Sequence, residues 1–146
     1  MNNLILIGFK AAGKTTLGKK IALQLNRPFI DTDDLFDEAP RDLFDRLGEK
    51  EFRALESSKL LSLEHLTGHV IATGGGTILN ANNRDFLSQL GTVVFLNTPR
   101  SIIESRLPRF LSKYEARLGI YTSMAHHVVT GEDQLWEVIR LDPFSA

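Results

Sequence analysis

The stretch GFKAAGKTT, residues 8–16, decides how the chain is read. It follows the apolar run Leu4-Ile5-Leu6-Ile7 and opens a segment in which Leu17, Ile21, Ala22 and Leu25 recur at helical spacing. It therefore joins a buried strand to an amphipathic helix. Gly8-x-x-x-x-Gly13-Lys14-Thr15 is the P-loop pattern. Glycine lets the backbone turn its amides toward a phosphate, and the start of the helix adds partial positive charge. Lys14 reaches the β- and γ-phosphates as a point charge, and the Thr15 hydroxyl is placed for a bridging Mg²⁺. Gly8, Ala11, Ala12, Gly13, Lys14, Thr15 and Thr16 are thus the expected nucleotide-binding residues. What receives the phosphate is decided elsewhere in the chain.

Outward from this loop, short apolar runs alternate with helix-period segments. Strands are expected at 4–7, 29–30, 70–73, 93–96 and 128–129, and helices at 14–25, 35–47, 49–66, 82–90, 100–107, 112–125 and 133–141. Five strands with helices between them predict an α/β, three-layer arrangement in which helices cover both faces of a parallel sheet. Pro40 and the charges around it are expected to interrupt the second helical region, making a small cap over the sheet. No repeat, low-complexity tract or long linker divides residues 1–146, so one domain is expected.

Composition narrows the function classes. The chain has 146 residues, 42% apolar and 24% charged, with a formal net charge of -1. That balance lacks the basic excess that binding along a nucleic-acid backbone requires. With no cysteine there is no thiolate metal site and no disulfide framework. No apolar run approaches the ~20 residues of a membrane helix. The expectation is a cytoplasmic protein acting as a monomer on a small molecule, with neither nucleic acid nor membrane as partner.

Three further motifs bear on the acceptor. Asp31-Thr32-Asp33-Asp34 ends the second strand, where ligands of parallel sheets bind. One carboxylate there can serve Mg²⁺ and another can take the proton of an acceptor hydroxyl, although aspartate is also a good helix N-cap. In EFRALE, residues 51–56, Arg53 and Glu56 share a helix face. They read either as a surface ion pair or as a guanidinium poised for two hydrogen bonds to a carboxylate. Gly74-Gly75-Gly76 in VIATGGGTI is either a tight turn or a place where a ligand approaches the backbone. The strand before those glycines carries no acidic residue, so Asp31 is the better metal candidate.

Taken in order, GFKAAGKTT, DTD, FRALE and ATGGG resemble the shikimate kinases over residues 3–139. The resemblance implies a fold like that of nucleoside monophosphate kinases, with strand order 2-3-1-4-5. It implies transfer of the ATP γ-phosphate to the 3-hydroxyl of shikimate, within aromatic amino acid synthesis. On the matching positions, Asp31 assists the metal beside Thr15, and Asp33 binds substrate hydroxyls and serves as base. Arg53, supported by Glu56, grips the shikimate carboxylate, Gly74, Gly75 and Gly76 line the pocket, and Arg117 in ARLGIYTSMA is a second carboxylate ligand. Residues 32–60 form the substrate-binding subregion.

Two parts depart from the family: the region between Asp34 and Arg53 is a few residues short, and so, more drastically, is the lid. Arg106, matching the adenine-side arginine, and Arg117 are separated only by LPRFLSKYEA, so the lid is shortened to about 107–116 and Arg109 is the stand-in for its phosphate-reaching arginine. Lys14, Asp33 and Arg109 are accordingly the expected catalytic residues. A kinase of another small polyol acid, such as gluconate, and a nucleotide-binding module without efficient transfer are the rival readings. His126-His127 reads as a strand-edge pair rather than a metal site. Trp136 reads as packing from a terminal amphipathic helix.

Overall fold

The computed structural model describes residues 2–10 and 12–141. Its strands β1 (Asn3–Ile7), β2 (Phe29–Asp31), β3 (Val70–Ala72), β4 (Gly91–Leu96) and β5 (His127–Val129) form one sheet of order β2-β3-β1-β4-β5. Every neighbouring pair is parallel. The expected order 2-3-1-4-5 is therefore the observed one. β1 is central and wholly buried, and its alternation sorts the core into two halves. Leu4 and Leu6 face one layer with Val70, Val94 and Leu96, while Ile5 and Ile7 face the other with Ile71, Val93 and Phe95. Continuous apolar strands are what a sheet covered on both faces requires.

Helix α1 (Lys14–Leu25) and helix α7 (Glu132–Leu141) cover the first face through Ile21, Ala22, Leu135 and Ile139. Trp136 packs against this layer, as expected, with its Nε1–H donated to Glu132 at 3.3 Å. The opposite face carries α3 (Glu49–Leu61), α4 (Ala81–Leu90), α5 (Arg100–Arg106) and α6 (Leu111–Met124) through Leu60, Leu87, Ile103, Tyr114 and Tyr121. Among the described residues no helix is long and apolar enough to cross a membrane.

Two helical expectations were too long. Instead of one helix over 35–47, residues Thr32–Leu35 make a 3-10 turn and α2 begins at Pro40 (Pro40–Leu47). Proline does not interrupt that helix but starts it, since at the first turn its missing N–H costs no internal bond. The segment expected to be helical to residue 66 leaves the helix after Leu61. Gly48, at φ 83°, lies between α2 and α3 in a conformation that other residues rarely adopt. Phe44 of α2 packs on Phe52 of α3, and Phe36 from the stretch before α2 stacks on the same ring, each with its centroid 5.5 Å from that of Phe52.

His126 precedes β5. Its Nδ1 accepts the Val93 N–H and its own N–H is donated to the Val93 carbonyl, both at 2.8 Å. The imidazole thus extends the β4–β5 pairing by one rung.

Candidate active site

All strands run the same way, so the turns after β1, β2 and β3 emerge on one edge of the sheet. There they enclose a cavity of about 310 Å³ lined by Lys10, Gly13, Lys14, Thr15, Thr16, Asp33, Thr73, Gly74 and Gly75. Gly13 caps α1 at φ 83°, a left-handed conformation that turns the chain from the loop into the helix. Gly8 packs so closely beneath β4 that a Cβ there would stand 2.7 Å from the Leu96 carbonyl oxygen. Ala12 donates its N–H to the Phe9 carbonyl at 3.2 Å; Ala11 lies outside the described residues. Lys14 is buried, with its ammonium donating to the carbonyls of Gly8 at 2.7 Å and Phe9 at 2.9 Å. Burial lowers its pKa to about 8, against the opposing pull of Asp33 and Asp31.

Thr15 Oγ1 donates to Asp31 Oδ2 at 2.6 Å. This pairing brings the two expected metal-binding groups together from the starts of α1 and the β2 turn. Asp31 also fulfils the plainer reading of its position, because its Oδ1 accepts the N–H of Asp33 and caps the 3-10 turn. Hydroxyl and carboxylate are the hard oxygen donors that Mg²⁺ takes, so the residues present fit that ion. Asp33, two residues on, faces the cavity near Lys14. Withdrawal from water, then the charge of Asp31, raises its pKa above the ordinary carboxylate value, while Lys14 opposes the shift.

The glycine turn after β3 is where the acceptor-side groups converge. A Cβ on Gly74 would lie 3.0 Å from Asp33 Oδ1, one on Gly75 would lie 3.6 Å from an Arg117 nitrogen, and one on Gly76 would overlap the Arg53 guanidinium. Arg53 is not the surface pair that its spacing alone allows. Its Nη1 donates to Glu56 Oε1 at 3.0 Å, and Glu56 is buried, with its second oxygen accepting Thr77 Oγ1 at 3.1 Å. The rings of Phe44 and Phe52 flank the guanidinium at 5.6 and 5.4 Å. The Arg53 Nε–H is buried and has no hydrogen-bond partner, a donor left unsatisfied within the protein. Arg117 reaches the turn from α6, and one helical turn on the buried Tyr121 donates its hydroxyl to the Gly75 carbonyl. Burial pushes the Tyr121 phenol up to about 12, with Arg117 opposing.

Sequence reading passed over three residues here. Thr32 Oγ1 accepts the Gly74 N–H at 3.1 Å, Thr77 orients Glu56, and Lys10 lines the cavity. A hydroxyl beside a functional motif was the only available signal for the threonines.

The remaining two predicted residues stand outside the cavity wall. Arg106 ends α5 and is exposed. Arg109 lies in the 3-10 turn Pro108–Phe110, with its guanidinium 5.1 Å from the Phe110 ring. After Leu107, residues 108–116 consist of this turn and the start of α6, pinned at the α6 end. Tyr114 donates to Asn97 Oδ1 or the Thr98 carbonyl, both at 3.2 Å, and packs edge-on against Phe9. Arg100 bridges Glu104 and Glu115.

The family model for shikimate kinase matches residues 10–140. The shikimate kinase of Caldanaerobacter subterraneus is 40% identical over 70% of this chain, a match that spans 63% of the relative's own length. Shikimate kinase 2 of Photorhabdus laumondii is 41% identical over 86% of this chain and 84% of its own. A solved structure of the Acinetobacter baumannii shikimate kinase, in complex with shikimate, superposes with a TM-score of 0.81 at 30% identity, covering 97% of this chain and 92% of that one. The chain belongs to the shikimate kinase family.

Proposed function

We propose that this chain transfers the γ-phosphate of ATP to the 3-hydroxyl of shikimate, giving shikimate 3-phosphate and ADP. The observation that carries the reading is the convergence of Asp33, Arg53 and Arg117 on the glycine turn, beside the loop that carries Lys14 and Thr15. A substrate with one carboxylate and several hydroxyls calls for two guanidiniums at one end and a carboxylate at the other.

In this reading Arg53 and Arg117 take the substrate carboxylate. Arg53 is pre-organised by Glu56 and two aromatic rings, so little freedom is lost on binding. Asp33 accepts the proton of the 3-hydroxyl as its oxygen bonds to the γ-phosphorus, and its raised pKa brings it closer to that task. The bond between that phosphorus and the β,γ-bridging oxygen breaks, and its electron pair leaves with ADP. Lys14 and the loop amides meet the charge on the phosphates. Thr15 and Asp31 would hold Mg²⁺, which neutralises phosphate charge when bound. Arg106 serves the adenine side, and Arg109 adds positive charge from beyond the Phe110 ring.

A coupled assay of ADP release with ATP, Mg²⁺ and shikimate tests the proposal. Shikimate-dependent turnover is expected. Preference for gluconate would replace the substrate, and tight ATP binding without transfer to either acceptor would replace the activity.

A further inference from the structure

One cation on the cavity wall belongs neither to the P-loop pattern nor to the residues matched above. Lys10 lines the cavity with Lys14, Thr15, Asp33 and Gly75. Its ammonium sits 3.7 Å from the centroid of Phe110, the last residue of the turn before α6. Arg109 and Lys113 approach the same ring at 5.1 and 5.8 Å. Arg117 and Arg41 add further positive charge near Lys10. None of these five cations forms an ion pair with a described carboxylate, whereas Lys20, Arg46 and Arg100 on the outer surface all do. Burial and this like-charge crowding lower the Lys10 pKa. An arriving polyanion relieves the repulsion.

We infer, on the phosphotransfer reading above, that Lys10 contacts the phosphoryl group in transfer and is a catalytic residue. It supplies from the P-loop itself the second cation that a longer lid would bring in by closing. In the transfer step negative charge spreads over the three equatorial oxygens of the γ-phosphoryl group while the acceptor oxygen bonds to phosphorus and ADP departs with the bridging electron pair. A second cation on the wall of the same cavity meets that charge. The substrate carboxylate needs no third partner, because Arg53 and Arg117 already offer paired donors at the glycine turn. Phe110 is the positioning residue. Its ring holds the ammonium through cation–π attraction, and Tyr114 pins the neighbouring turn of helix, so the contact does not depend on a hinge.

The test is steady-state kinetics of full-length protein with ATP and shikimate for wild type, Lys10→Ala, Lys10→Arg, Arg109→Ala and Phe110→Leu, with thermal unfolding of each as a check on folding. Lys10→Ala is expected to lower kcat about 100-fold, with the shikimate KM within about twofold. Lys10→Arg should restore most of the rate, Arg109→Ala should lose less than Lys10→Ala, and Phe110→Leu should lower kcat without the arginine rescue. An active wild type with Lys10→Ala unchanged, or altered only in shikimate KM, overturns the inference and leaves the phosphotransfer reading standing. A wild type inactive toward shikimate instead removes that reading, and the inference with it.

Discussion

The guanidinium of Arg53 lies against the Cα of Gly76: a methyl group built there would stand 2.5 Å from Nη1 and 2.7 Å from Cζ. The obstructed atoms are the free end of a side chain, so an added methyl displaces the arginine rather than the backbone. Gly76→Ala should therefore raise the shikimate KM about tenfold or more, with little change in Tm or ATP affinity. Arg53→Ala should act in the same way and more strongly. A large drop in kcat at unchanged KM would contradict the assigned role.

Glu56 holds Arg53 with one oxygen and Thr77 with the other, inside the protein. Replacing it by alanine strands both donors, a cost of about 1–3 kcal/mol. Chemical denaturation of Glu56→Ala should show that loss, together with weaker shikimate binding. Unchanged stability would mean that solvent replaces the carboxylate.

The Tyr121 hydroxyl fastens Gly75 from α6, and its ring stacks on Phe95 with centroids 4.9 Å apart. Tyr121→Phe keeps the stacking and removes the tether. We expect a loss of about 1 kcal/mol and a higher shikimate KM, read by thermal unfolding and saturation kinetics.

A base must be deprotonated to accept a proton, so kcat/KM should fall as pH drops through the pKa of Asp33. Burial and Asp31 raise that pKa, so the acidic limb should begin above the ordinary carboxylate range. Asp33→Asn should lower kcat strongly. Asp31→Asn removes a neighbouring negative charge and should move the limb to lower pH. A limb that stays in place in Asp31→Asn would argue that the two carboxylates are uncoupled.

Lys14, with its pKa near 8, is only partly protonated at that pH. A bound polyphosphate stabilises the ammonium and draws the pKa upward, so binding at pH 8 takes up protons. Calorimetry of ATP binding in buffers of different ionisation enthalpy should show this uptake at pH 8 and its near absence at pH 6. Binding heats independent of the buffer at both values would be the contrary result.

Several elements were legible because their causes are local. The run Leu4 to Ile7 and the recurrence of Leu17, Ile21 and Leu25 gave β1 and α1 nearly residue for residue. The stretch before α2 was not legible. Leu35 and Phe36 continue the apolar spacing of a helix, but Asp31 captures the Asp33 N–H and turns the chain into a 3-10 segment, leaving Phe36 extended to stack on Phe52. For the pair Arg53 and Glu56, periodicity could not separate a solvated ion pair from a buried one. Burial comes from Thr77 and the glycine turn, which a different strand delivers.

By itself, the sequence determined the phosphate cradle and the order of the motifs. The groups that shape the cradle lie within one contiguous stretch, and an all-parallel sheet sends every such turn to the same edge. Only the tertiary structure decided which side chains meet there. Arg53 rests on Gly76, Tyr121 holds Gly75, and Lys10 is held over Phe110 because crossovers between non-adjacent strands bring distant segments within contact distance. Those contacts depend on strand order and packing, which no local run of residues encodes.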